Sequence, residues 1–308
     1  MRWCLPFSVS IVLPVLALGA AGCSRSELDG IALVSLDFGG PDKHAVELDG
    51  YGRVTGADWA VGERFLASNP YLASTTPVEY VEGGAPLAFS DGAMASLTAV
   101  LTIEQSIEEA IDEDLTLTAS GTLGDGTTLQ WSGVVSGEAG EKTVELSSSA
   151  LPGGPYCGVL NIEWTLDTQR GRTLFSDATT HELHISRAAP VKNASMHHTA
   201  LNLACAAVGT TTTDEAIDAI WSEFATREVR RARDDAPLYY YESIDTSAWA
   251  QGMLITQHGE CHSWVQLMGH TLGFHGIQAE QMSFRAQPPS IIMQMGSWEA
   301  LRGTEFVG

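Results

Sequence analysis

The sequence predicts an all-β sandwich followed by a smaller α+β domain. Three observations carry that expectation. Between residues 31 and 190, short stretches alternate apolar and polar side chains and are separated by glycine-rich turns. After "RAAPVKNAS", 187–195, the alternation stops and apolar residues recur at helical spacing. Further on, Gly259-Glu260-Cys261 opens a strongly apolar helical run.

The chain begins with a targeting segment. Arg2 precedes an apolar stretch from Ser8 to Leu18, and small residues then lead to Cys23. Residues 1–22 read as an export signal, and the run is too short to span a bilayer comfortably. "GAAGCS" resembles a bacterial lipobox, with Ala20 where leucine is usual. The resemblance implies cleavage before Cys23, lipid on its thiol, a tether over 23–30 and a membrane partner through that anchor.

The sandwich is expected over 31–190. "IALVSLDFGG" makes a first strand, and "LTLTASG", "TLQWSGVV", "KTVELSSS", "GVLNIEWTLD" and "HELHIS" make later ones. Asp125-Gly126, "GEAGEK", "PGGP" and "QRGR" mark the turns between them. Two antiparallel sheets, each with one wet face, produce such alternation. Residues 41–110 give no clear assignment, and "SIEEAIDEDL" fits either a helix or an acidic loop.

The second domain is expected over 191–308. Leu201, Ala204, Cys205 and Val208 form one helical stripe. Thr212 and Glu215 form a capping box ahead of a second helix, whose stripe is Ile217, Ile220, Trp221 and Phe224. "TREVRRARDD" reads as a solvated helix end or loop, and "PLYYYESID" as extended chain. In a third helix, Cys261, Val265, Met268 and Leu272 share a face, and Gly276 supplies the stop. "IQAEQMSFRAQ" and "IIMQMGSWE" read as strands.

Charge excludes one class of partner. The chain carries 16 Lys and Arg against 38 Asp and Glu, a net charge of −22. Nucleic acid is not expected, because phosphate binding needs cationic side chains. The balance suits a solvated extracytoplasmic surface.

Of the five cysteines, Cys4 leaves with the signal and Cys23 carries lipid. Exported proteins tend to pair their cysteines. Cys157 with Cys205 is the candidate disulfide, which leaves Cys261 as a thiol. Four readings of Cys261 stand side by side: nucleophile, metal ligand, half of a disulfide, or small core residue. Helix-start N–H groups and the positive end of the macrodipole favour a thiolate there. His258, Cys261, His262 and His270 hold the atoms of a zinc site, at a spacing that matches no structural-zinc pattern. Trp249 and Trp264 suit a substrate groove or plain packing, and Gln257 is a candidate oxyanion donor.

"GECHSWVQLMGHTLGFHGIQAE", preceded by "TTDEAIDAIWSEF", resembles the core of the transglutaminase-like superfamily. The matching series is Gly259, Cys261, the apolar helix, Gly276-Ile277 and Ala279. The resemblance implies a papain-like α+β fold and a Cys-His-Asp triad with Cys261 as nucleophile. It also implies acyl transfer or amide hydrolysis on a peptide or protein substrate through a thioester, with no cofactor and no metal. The triad histidine and aspartate of that family lie further along the chain. No histidine follows His275, and His262, His270 and His275 do not stand at the family's position. The expectation is therefore an incomplete domain whose triad partners lie past Gly308, so that this chain alone shows no turnover. The alternative is a domain that has lost them and serves as a catalytically silent binding module.

Overall fold

Burial alternates residue by residue along the long strands, as in Met94–Ile103, where every second side chain from Ala95 onward is buried. That period of two sends one set of side chains inward and the other outward. The structure is a computed structural model. It describes residues 30–49, 52–53, 57–61, 84–105, 107, 114–226, 228–240 and 248–280.

The first strands are β1 (Ile31–Gly39), β2 (Lys43–His44), β3 (Glu47–Leu48), β4 (Gly52–Arg53), β5 (Trp59–Ala60) and β6 (Leu87–Phe89), of which β3 and β4 pair as a separate ribbon outside the two sandwich sheets. They continue with β7 (Met94–Ile103), β8 (Asp114–Leu123), β9 (Thr128–Ser136), β10 (Gly140–Ala150), β11 (Tyr156–Asp167) and β12 (Thr173–Ile185). One sheet has the order β10-β7-β1-β5, and the other β2-β6-β12-β11-β8-β9. Apart from the parallel β6–β12 pair, the pairings in both sheets are antiparallel. At the β8–β9 hairpin, Gly126 takes φ +87° and Asp125 Oδ1 accepts from Thr127 N at 2.8 Å. That is the turn chemistry expected of Asp-Gly.

Phe38, Trp131 and Trp164 fill the space between the sheets. Trp131 crosses it, with Nε1 donating to the carbonyl of Ala95 at 2.9 Å. β9 and β10 lie at the edges of opposite sheets and approach closely at Gly133. A Cβ there would stand 2.7 Å from the Glu145 carbonyl oxygen, so this corner requires glycine. β7 is the strand that the sequence leaves unassigned, and it lies inside the first sheet. Its inward set alternates leucine and isoleucine with alanine, against serine, threonine and valine outward, so the hydropathy contrast is low. Residues 106 and 108–113 of "SIEEAIDEDL" lie outside the described residues.

The helical region follows Ile185. It comprises α1 (His198–Ala204), which runs into a 3₁₀ turn at Cys205–Ala207, then α2 (Thr213–Ala225), β13 (Tyr239–Tyr240), α3 (Ala250–Thr256), β14 (His258–Gly259) and α4 (Cys261–Phe274). α2 starts at the expected capping box. Thr212 Oγ1 accepts from Glu215 N at 3.2 Å, and Glu215 Oε2 accepts from Thr212 N at 3.1 Å. α4 ends at Gly276, φ +75°, with Gly276 N bonding Gly273 O and Ile277 N bonding Leu272 O. Those two bonds satisfy carbonyls that the helix end would leave unpaired.

Two expectations are corrected here. The buried side of α4 is Ser263, Leu267, Thr271 and Phe274, whereas Cys261 and Val265 face solvent. Of the expected stripe, Leu272 is buried and Met268 half-buried. The hydroxyls of Ser263 and Thr271 bond back to the carbonyls of Glu260 and Leu267. Polar residues thus enter the core side at little cost. "TREVRRARDD" is not simply solvated, because Arg231 is 4% exposed. Its guanidinium donates to the carbonyls of Leu254 and Ile255 at the end of α3 and pairs with Asp234. From Gln281 onward, the expected strands lie outside the described residues; 277–280 carry no strand.

The helices pack directly on the sandwich. Val46 and Ala88 share a buried cluster with Met196, Leu201, Ala204 and Phe274. The change at 187–195 is therefore a change of secondary structure with continuous packing across it.

Candidate functional site

Cys261 opens α4 and is exposed. The chain reaches it by a defined route. α3 stops because Gln257 turns left-handed at φ 68°, and β14 then pairs in parallel with β13. Gly259 follows, buried beneath Met253 and Ser263. A Cβ on it would lie 2.3 Å from Met253 Sδ and 2.4 Å from Ser263 Oγ. The glycine two residues before the cysteine is thus required by close packing. Glu260 caps the helix in extended conformation without a side-chain bond, and no acidic residue lies in the first turn. The positive end of a 14-residue helix therefore stands at Cys261 with no carboxylate on that turn.

The neighbours are fixed by hydrogen bonds. Gln266 Oε1 accepts from Ala250 N at 3.0 Å, and its amide nitrogen donates to His262 Nε2 at 2.9 Å. His262 therefore carries its proton on Nδ1 when neutral. The Trp249 ring meets His262 edge-on at 5.4 Å and is 64% exposed. Trp264 packs edge-on against Phe224, with Nε1 buried and unbonded among the described residues. Trp249 suits a surface groove, and Trp264 belongs to packing. Gln257 offers its carbonyl to Tyr239 N at 2.7 Å; nothing in the described contacts aims its side-chain amide at an oxyanion.

The zinc set that the sequence offers around Cys261 does not form. His258 stacks on Tyr239. His270 accepts from Ser195 N at 3.1 Å and faces the ring of His197. Burial pushes His270 below its ordinary pKa and brings His197 down to about 3, with the charge on His270 adding to the latter.

A second constellation lies where α1 covers β12; the sequence predicts its cysteine pair as the candidate disulfide but not Glu182, His184 or His198. Cys157 on β11 is bonded to Cys205 at the end of α1. His184 is the cross-strand partner of Cys157, and its Nδ1 lies 3.0 Å from Cys157 Sγ. On the other side of the ring, Nε2 is 2.8 Å from Glu182 Oε1. His198, the first residue of α1, places Nε2 3.0 Å from both carboxylate oxygens. Burial works to raise the Glu182 pKa, but the hydrogen bonds from His184 and His198 outweigh it and hold the carboxyl below its ordinary range. The signal in the sequence is Glu182-x-His184 on a strand, which puts both side chains on one face. What brings His198 to them is the packing of α1.

The sequence matches no family model and no curated protein. Among solved structures, the chain is similar over 32% of its length to a Niemann-Pick type C2 protein from the Japanese carpenter ant, covering 80% of that chain at 10% identity and a TM-score of 0.23. It is similar over 33% of its length to the CooA pilin subunit of enterotoxigenic Escherichia coli, covering 92% of that chain at 11% identity and a TM-score of 0.18. Neither likeness supports a conclusion about activity. The architecture itself is a β-rich region joined to a small region of helices and short strands.

Proposed function

We propose that this protein is an exported, lipid-anchored cysteine acyl transferase or amide hydrolase of the transglutaminase-like type, with Cys261 as nucleophile. The observation that carries the reading is the setting of Cys261: an exposed thiol at the start of a 14-residue helix, mounted behind a glycine that the core requires. The N–H groups of the first turn and the helix dipole favour the thiolate and can hold the oxyanion formed when it attacks a carbonyl. The sulfur adds to the amide carbonyl carbon, the C–N bond breaks as the nitrogen takes a proton from water and leaves as the amine, and an amine or water then displaces the sulfur from the thioester. The exposed face of Trp249 suits a peptide or protein segment lying beside the thiol. Cys23, which would carry the lipid, lies outside the described residues, and no helix among the described residues is long and apolar enough to cross a membrane.

The test is intact-mass analysis after incubation with a glutamine-containing peptide and an amine donor, with iodoacetamide labelling across pH alongside. Alkylation of Cys261 well below about pH 8.5 that is lost in Cys261→Ser supports the reading, and a thioester adduct lost in the same variant shows in addition that acyl transfer proceeds without a family-position histidine. An unreactive Cys261 in the folded protein overturns it.

A further inference from the structure

We propose that Glu182, His184 and His198 form a binding site for one divalent transition-metal ion, zinc by its donor set, between β12 and α1. The site is separate from Cys261 and does not depend on its chemistry.

The donors are of the right kind and already converge. Two imidazole nitrogens and a carboxylate make the N₂O set that zinc takes with a fourth position left open. His184, His198 and Glu182 each offer a donor atom within 4.8 Å of the others, and both Nε2 atoms stand 2.8 to 3.0 Å from the Glu182 carboxylate oxygens. Around tetrahedral zinc, with bonds of about 2.0–2.1 Å, donor atoms stand about 3.3 Å apart. The nitrogen–oxygen pairs need an opening of a few tenths of an ångström. Glu182 can supply it because its side chain is 39% exposed, whereas the two rings are buried. The same exposure leaves room for water on the open side.

The surroundings of His184 fit a ligand. Its Nε2 lies 2.8 Å from Glu182 Oε1 and its Nδ1 3.0 Å from Cys157 Sγ. Without metal, a proton on Nε2 bridges ring and carboxylate. An ion entering there displaces that proton and leaves Nδ1 to carry the ring N–H toward the sulfur, and a ligating histidine whose other ring nitrogen is so held is the usual arrangement. The ion would tie the sheet to α1 beside the disulfide.

The experiment uses the full chain, oxidised and stripped of metal, in the Cys261→Ser background so that this thiol does not compete. Co(II) is titrated and followed by its visible d–d absorption, then displaced by Zn(II). The expected result is one equivalent bound with a tetrahedral spectrum, and a raised melting temperature with zinc. Glu182→Gln and His198→Asn each remove a direct ligand and should weaken binding by more than the roughly 10- to 100-fold that loss of an outer-shell partner costs. Near-UV circular dichroism checks that both variants fold, and Glu182→Gln, at a partly exposed position, keeps the test valid if His198→Asn does not. Absence of binding, or binding unchanged in Glu182→Gln, overturns the site. So does binding that appears only after reduction, since the ligands would then be the thiols of Cys157 and Cys205.

Discussion

His275 Nε2 donates to the carbonyl oxygen of Ala204 at 2.9 Å, tying the end of α4 to the end of α1. The other ring nitrogen accepts from Arg187 N at 3.2 Å, just past β12. One neutral imidazole thus joins the sandwich to both helices, and burial keeps its pKa below the ordinary value. His275→Ala leaves a buried carbonyl and a partly buried N–H without their partner. At about 1–3 kcal/mol for each such group, the expected loss is about 3 kcal/mol. Urea denaturation measures it; a loss below about 1 kcal/mol would show that water replaces the ring.

Asp49 and Thr199 form a second tie. Asp49 is fully buried and accepts from the backbone N–H and the hydroxyl of Thr199, while Ala232 N donates to that hydroxyl. Burial raises the Asp49 pKa, against the bonds from Thr199 that lower it. Thr199→Val keeps the shape and removes the hydroxyl. We expect a loss of about 2–4 kcal/mol, because a carboxylate oxygen and an N–H lose a partner together. The same denaturation curves check it, with Thr199→Ser expected to recover most of the loss.

The Cys157–Cys205 bond closes a loop across 48 residues. By loop-closure entropy, a bridge of that span contributes about 4 kcal/mol. The double variant Cys157→Ala/Cys205→Ala should lose stability of that order. Wild-type protein under reductant should lose a similar amount, and stability unchanged by either treatment would contradict that value.

Asp58 gives a pH dependence with a defined sign. It is paired with Lys43 and accepts from Phe38 N, yet burial raises its pKa from 3.8 to about 6, outweighing the pull of Lys43. The folded state therefore binds this proton more tightly than the unfolded chain does. The contribution to stability is full below about pH 3.8 and is lost as pH rises to about 6. Asp58→Asn removes this component, so wild type should fall more steeply than the variant across that window. Parallel stability–pH curves would refute the assignment.

Local features are legible in the sequence. The capping box at Thr212 and Glu215, the turn at Asp125-Gly126 and the stop at Gly276 each depend on residues within a few positions of one another. The strands with strong contrast, such as β9 and β11, are legible for the same reason. β7 is not, because its alternation between Ala95, Ala99 and their outward neighbours differs little in hydropathy. The face of α4 is misleading in the sequence because Ser263 and Thr271 satisfy their hydroxyls on the helix's own backbone. Arg231 reads as solvated because its partners, Leu254 and Ile255, lie more than twenty residues away.

By itself the sequence determined the acidic, β-rich character of the chain, the passage from strands to helices near residue 190 and a cysteine two residues past a glycine at a helix start. These follow from short-range periodicity, capping and backbone preference. Only the tertiary structure decided that Cys261 faces water and that Gly259 must be glycine for packing. It alone brought His198 to Glu182 and His184. Burial and side-chain convergence depend on which surfaces meet, and that is set by contacts between residues far apart in the chain.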